Sequence, residues 1–260
     1  MRVAKIAGSL ESWAPLHLAE SYDNVGLLVG DPDMEVNGVL INLDMTLPVL
    51  EEALKKGINM VVSHHPIWFT KRTKLVRGDY VSDTILFAAK HDIALYAIHT
   101  NLDNIRTGVN KKISDRLGLQ NARILKPNPT NPEDGIGMIG ELPSPLSKNA
   151  FLQLVKQRFD CGGIRYAGAE VDTISKVAVC GGSGSFLTRE AMKVGADAFV
   201  TADITYHKFF DNEGKMLLLD IGHYESEQYT SLLIKDYLSD FFPKFAVHLS
   251  EIYTNPVRYF

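Results

Sequence analysis

Cysteine is almost missing from this chain: Cys161 and Cys180 are the two in 260 residues. That is too few for a disulfide framework, and no CxxC zinc knuckle is present. Cys180 closes an apolar, strand-like run and reads as a small buried thiol. Basic tracts are missing too. No run of five Lys or Arg occurs, and 27 basic against 31 acidic residues leave a net charge of −4. This argues against nucleic acid as a partner, because phosphate backbones call for a concentrated basic surface. No apolar stretch approaches the ~18 residues of a membrane span, and the first residues hold no apolar signal-peptide core. The expectation is a cytoplasmic protein with no membrane partner. A hydrophobic content of 45% with 22% charged residues is that of an ordinary globular chain, long enough for one large domain or two smaller ones.

What the chain does have is an alternation of strands and helices. Residues 2–22 carry apolar groups at helical spacing, broken at Pro15. Val36 to Leu43 reads as a strand, Thr46 to Lys56 as a helix stopped by Gly57, and Ile58 to Ser63 as the next strand. Such a βαβ unit predicts parallel pairing. A helix over Tyr80–His91, a strand over Ile93–Ile98 and a helix over Gly108–Leu117 follow. Three prolines lie between Lys126 and Gly135, which makes this segment the expected domain boundary. Beyond it the same grammar resumes, with strands at Ile136–Leu142, Lys176–Cys180, Ala198–Thr201 and Met216–Ile221 and a helix over Glu225–Leu238.

The chemistry collects where strands end. Met60-Val61-Val62-Ser63 runs into His64, His65 and Pro66, and proline forbids a further central ladder position. Ile93–Ile98 runs into His99 and Asp103, and Met216–Ile221 into His223 and Glu227. The edge of an α/β sheet at its strand carboxyl ends is where such folds hold ligands. His and carboxylate without thiolate suit Zn, Mn, Fe, Co or Ni. Four or five protein ligands exceed what one catalytic zinc takes, which favours two divalent ions roughly 3.5 Å apart sharing a carboxylate. His64 and His65 should leave a strand on opposite faces, so one histidine per ion is expected. Taken singly, Asp103 also reads as a helix N-cap and Glu227 as a solvated helix residue. His17, His91 and His248 read as ordinary histidines, and His207 as lining the site without binding metal. Gly181-Gly182-Ser183-Gly184 lies between a strand and a helix. It is either a phosphate cradle or a tight turn, and it matches neither a Walker A loop nor a GxGxxG fingerprint.

The ordered series Tyr22-Asp-Asn-Val-Gly-Leu27, Ser63-His-His-Pro66, His99-Thr-Asn-Leu-Asp103, Val179-Cys-Gly-Gly-Ser-Gly-Ser185, Thr201-Ala-Asp-Ile-Thr-Tyr-His207 and Asp220-Ile-Gly-His-Tyr-Glu-Ser-Glu227 resembles the GTP cyclohydrolase 1 type 2 homologue family, also called the NIF-three-like family. The resemblance implies two α/β domains with mixed, partly parallel sheets and a dinuclear metal site between them. The first would comprise 1–125 plus about 222–260, taking both chain ends, and the second 126–221. It also implies a toroidal homohexamer and metal ligands at His64, His65, Asp103, His223 and Glu227, with His99 and His207 as polar neighbours able to shuttle protons. The implied reaction is hydrolytic opening of GTP, or of another nucleotide-like substrate, by metal-activated water. Two rival expectations use the same ligands: a dinuclear phosphoesterase or amidohydrolase, and a non-catalytic ring protein for metal delivery or regulation.

Overall fold

Runs of apolar, β-branched residues become strands here, and the amphipathic stretches between them become helices. The computed structural model describes residues 1–168 and 170–260. Its first part runs α1 (Val3–Trp13), β1 (Gly26–Val29), β2 (Val39–Asp44), α2 (Leu47–Lys55), β3 (Met60–His65), α3 (Tyr80–Lys90), β4 (Ala94–Ala97) and α4 (Thr100–Asp103). Then come α5 (Val109–Leu117), β5 (Gln120–Pro127), β6 (Gly135–Ser147), α6 (Lys148–Phe159), β7 (Arg165–Ala167) and β8 (Thr173–Val179). Last are α7 (Thr188–Lys193), β9 (Ala198–Thr201), β10 (Leu217–Asp220), α8 (His223–Glu227), α9 (Thr230–Phe241) and β11 (Val247–Leu249).

The chain divides into two compact units, Met1–Leu102 with Thr230–Thr254, and Asp103–Tyr229 with Asn255–Phe260. The first is built on a five-stranded sheet of order β1-β4-β3-β2-β11. Its strands β4, β3, β2 and β11 are parallel and β1 is antiparallel. Leu40, Val61 and Leu95 share one register and face Val49, Leu50, Val81 and Ile85 of α2 and α3 in a buried core. Residues one position on point the other way, as pleating demands. Tyr96, fully buried, reaches Glu11 of α1 on that side. There α1 meets α9 through Trp13 stacked on Tyr237 at 4.2 Å, and the Tyr237 hydroxyl donates to the Ser9 carbonyl.

The second unit holds a six-stranded sheet of order β5-β6-β8-β9-β10-β7. Only β8, β9 and β10 run parallel to their neighbours among them; β5, β6 and β7 pair antiparallel. Ile139, Ala178, Phe199 and Leu218 pack with Leu187, Ala191 and Ile204. The proline-rich segment is no domain boundary here. Pro127 pairs with Gly135, so the prolines sit in the loop of a β5–β6 hairpin. The breaks fall instead inside α4 and between α8 and α9, where the expected continuous helix over Glu225–Leu238 is interrupted. Among the described residues, no helix is long and apolar enough to cross a membrane.

Candidate functional site

In the first unit, parallel strands deliver three histidines to one edge. Asp44 at the end of β2 is in register with His65 at the end of β3, and β4 leads directly to His99. The rings of His64 and His65 are 4.9 Å apart, and each lies 5.1 to 5.3 Å from that of His99. One ligand atom from each of the three falls within 4.8 Å of the others, a grouping able to hold a metal ion. The expected divergence of His64 and His65 onto opposite faces is therefore not what the chain does. The rings converge although His65 stays in register with Asp44, and the Ser63 hydroxyl donates to the His65 carbonyl.

Each ring is held through Nδ1. His64 donates to the Ile98 carbonyl at 2.9 Å, His65 to Asp44 at 2.7 Å, and His99 to Asp23 at 2.9 Å. A nitrogen facing a carbonyl or carboxylate must carry the proton, which leaves Nε2 as the lone-pair nitrogen in the neutral ring. This is the support that metal-binding histidines receive. Asp23 also accepts from the backbone and hydroxyl of Thr100. Burial pushes its carboxyl up, but His99 and Thr100 outweigh that and hold it at about 2. Burial lowers the pKa of His99 against the pull of Asp23.

The second unit also gathers polar side chains at its strand ends, here one histidine with two carboxylates. Its parallel strands β8, β9 and β10 end in Gly181–Gly184, Asp203 and His223. Asp203 Oδ2 accepts from His223 Nδ1 at 2.6 Å and from Ser183 at 2.5 Å. Asp203 itself sits at φ 53, a left-handed conformation that Asp tolerates. His223 Nε2 lies 3.1 Å from Glu227 one helical turn on. Burial opposes the charge on His223, yet Glu227 and Asp203 together raise it to about 11. The Cys180 thiol is fully enclosed and pushed well up, by burial first and then by the carboxylates of Asp103 and Glu227 beside it. Asn110 links that neighbourhood, donating to the Asp103 carbonyl and accepting from Gly181 N–H.

The glycine loop packs against the carboxylate–histidine pair. A Cβ on Gly182, at φ 56, would lie 2.5 Å from Glu227 Oε1. The N–H groups of Gly181, Gly182 and Gly184 already donate to Asn110, Ser226 and Thr201, and the Ser183 hydroxyl to Asp203. Those three N–H groups are engaged inside the unit, as they would be in a tight turn. His207 is exposed, its ring beside Tyr206 and Phe210. Sequence reasoning missed Asp23, Asp44 and Asp203, the carboxylates that orient three of the four histidines. Asp23 and Asp203 lie inside two of the quoted motifs, but nothing in their spacing marks which histidine they serve.

Two mixed-sheet α/β units, the first gathering three braced histidines at the carboxyl edge of its parallel strands and the second presenting one braced histidine with Glu227, define an α/β protein with histidine and carboxylate side chains that could hold metal. The profile of the Duf34/NIF3 (NGG1p interacting factor 3) family matches residues 1–256, and the chain belongs to that family. It is 36% identical to a Clostridium acetobutylicum protein named GTP cyclohydrolase 1 type 2 homolog, over 87% of this chain and 85% of the relative. The crystal structure of a Staphylococcus aureus hypothetical protein superposes with a TM-score of 0.93 at 32% identity, covering 100% of this chain and 99% of that one. Reduced HcgD from Methanocaldococcus jannaschii gives 0.81 at 28% identity, over 97% of this chain and 98% of its own.

Proposed function

We propose that this chain is a metal-dependent hydrolase that holds two divalent ions through His64, His65, Asp103, His223 and Glu227, the two units contributing jointly, and acts on GTP or a related nucleotide. The observation that carries the reading is the common bracing of the histidines. All four are fixed through Nδ1 by a carbonyl or carboxylate, the arrangement that sets tautomer and aim for metal binding. The name of the C. acetobutylicum relative supports the choice of GTP. The family resemblance supports assembly as a toroidal homohexamer.

Bound ions would supply Lewis acidity and a water of lowered pKa. The protein's own groups do the rest. Asp44 and the Ile98 carbonyl keep Nε2 of His65 and His64 in its basic form. Asp103 and Glu227 add the negative charge that balances a pair of cations. His99, kept neutral by its lowered pKa and aligned by Asp23, accepts and returns a proton. His207 is a second candidate for that relay.

Steady-state turnover of GTP by metal-loaded protein tests this, with His64→Ala and Glu227→Gln as comparisons. A loss of kcat/KM on the order of a hundredfold or more in both variants, with the fold retained, is the expected result. Metal bound without turnover would replace the hydrolase by a metal-handling protein.

A further inference from the structure

We propose that the segment Asn255–Phe260 is a latch that positions α8, and through it His223 and Glu227. The inference rests on the metal-binding reading above. At five residues, α8 spans little more than one turn, too short to hold its shape unaided. His223 and Glu227 share one side of it, four residues apart, and Glu225 lies between them in sequence, so it points to the other side.

Glu225 does no evident chemistry, yet it is 5% exposed. A buried carboxylate is costly unless hydrogen-bonded, and here the bonds come from the latch. Asn255, 3% exposed, donates from Nδ2 to Glu225 Oε1 at 3.1 Å, and the Tyr259 hydroxyl donates to the same carboxylate. The Asn255 side-chain oxygen accepts the Val257 N–H at 2.9 Å, which closes the segment into a turn. A slot receives the Tyr259 ring: a Cβ on Gly162 would come within 2.1 Å of Tyr259 Cδ2, and one on Gly163 would lie 3.5 Å from the ring. At the start of α8, Gly222 has φ 94, and a Cβ there would fall 2.1 Å from Glu225 Oε2 and 2.8 Å from the Tyr259 hydroxyl. The glycines at 162 and 222 are thus explained by the room that Tyr259 and Glu225 occupy. Asn255 and Tyr259 are positioning residues, acting on the candidate ligands through Glu225.

Two substitutions unseat the latch from opposite sides. Tyr259→Ala removes the ring, and Gly162→Ala fills its slot without touching Glu225. Tyr259→Phe keeps the ring and removes only the hydroxyl. The experiment titrates the full chain, stripped by chelator, with Co(II) and follows its visible absorption, with Glu227→Gln in parallel and far-UV circular dichroism to verify the fold. The expected result is about tenfold weaker binding or more in Tyr259→Ala and Gly162→Ala, with altered absorption bands, and a smaller loss in Tyr259→Phe. Binding within twofold of wild type and unchanged bands in both variants, while Glu227→Gln loses affinity, would overturn the latch alone. Wild-type binding by Glu227→Gln would overturn the metal reading and the latch with it.

Discussion

Asp23 has no exposed side-chain surface, yet its carboxyl is held at about 2. Its partners, the His99 ring and Thr100, lie 76 and 77 residues on in sequence. The sign of its contribution follows from the direction of the shift. A carboxyl depressed in the folded state stabilises that state above its ordinary pKa of 3.8, and the stabilisation fades as pH falls toward 2. The shift corresponds to about 2 kcal/mol at neutral pH. Asp23→Asn in metal-stripped protein should therefore cost about 2 kcal/mol in urea unfolding at pH 7, and about half that near pH 3. A pH-independent difference would show that the ionised carboxylate, held by His99 and Thr100, is not the source. The lowered pKa of His99 works in the same direction, since acid must charge a ring that burial keeps neutral.

The glycine loop and α8 behave as one device, because the loop's backbone fills the space where a side chain would displace Glu227. Gly182→Ala is expected to weaken metal binding by more than about tenfold, as read by isothermal titration. Gly57→Ala is the matched control. Its φ is 69, but nothing lies within 4 Å of an added Cβ. It should cost about 1 kcal/mol of stability and leave metal affinity alone. Equal binding losses in the two variants would assign the effect to backbone strain instead. Elements of this kind were unevenly legible in the sequence. The βαβ run from β2 to β4 could be read because its strands are continuous apolar runs with Gly57 as punctuation, and its histidines stand at the strand ends. β5 was not, because Gln120–Pro127 is half exposed and mixes polar with apolar residues. The end of α8 was missed for a related reason. No Gly or Pro marks Gln228-Tyr229, and the interruption comes from tertiary packing rather than local propensity. The carboxylates bracing the histidines escaped because each pairs across 20 to 76 residues, a relation that spacing does not encode.

Across the whole molecule, both units obey one rule: parallel strands gather ligand-type side chains at their carboxyl ends. In the first unit the edge offers three histidines braced by Asp23, Asp44 and the Ile98 carbonyl. In the second it offers His223 and Glu227, braced by Asp203 and packed against glycine. Histidine and carboxylate ligands without thiolate fit borderline and harder divalent ions. On the proposed reading, a metal ion bound at His223 would displace a proton that Glu227 and Asp203 favour there, so affinity should fall as pH is lowered. The most direct test counts ions. Protein stripped by chelator, reloaded separately with Zn, Mn, Fe, Co and Ni and desalted, is assayed by elemental mass spectrometry beside Glu227→Gln and His64→Ala. About two tightly held ions per chain in wild type, with fewer in each variant, is the predicted result. Wild-type protein that retains no metal under any of these conditions would contradict the account.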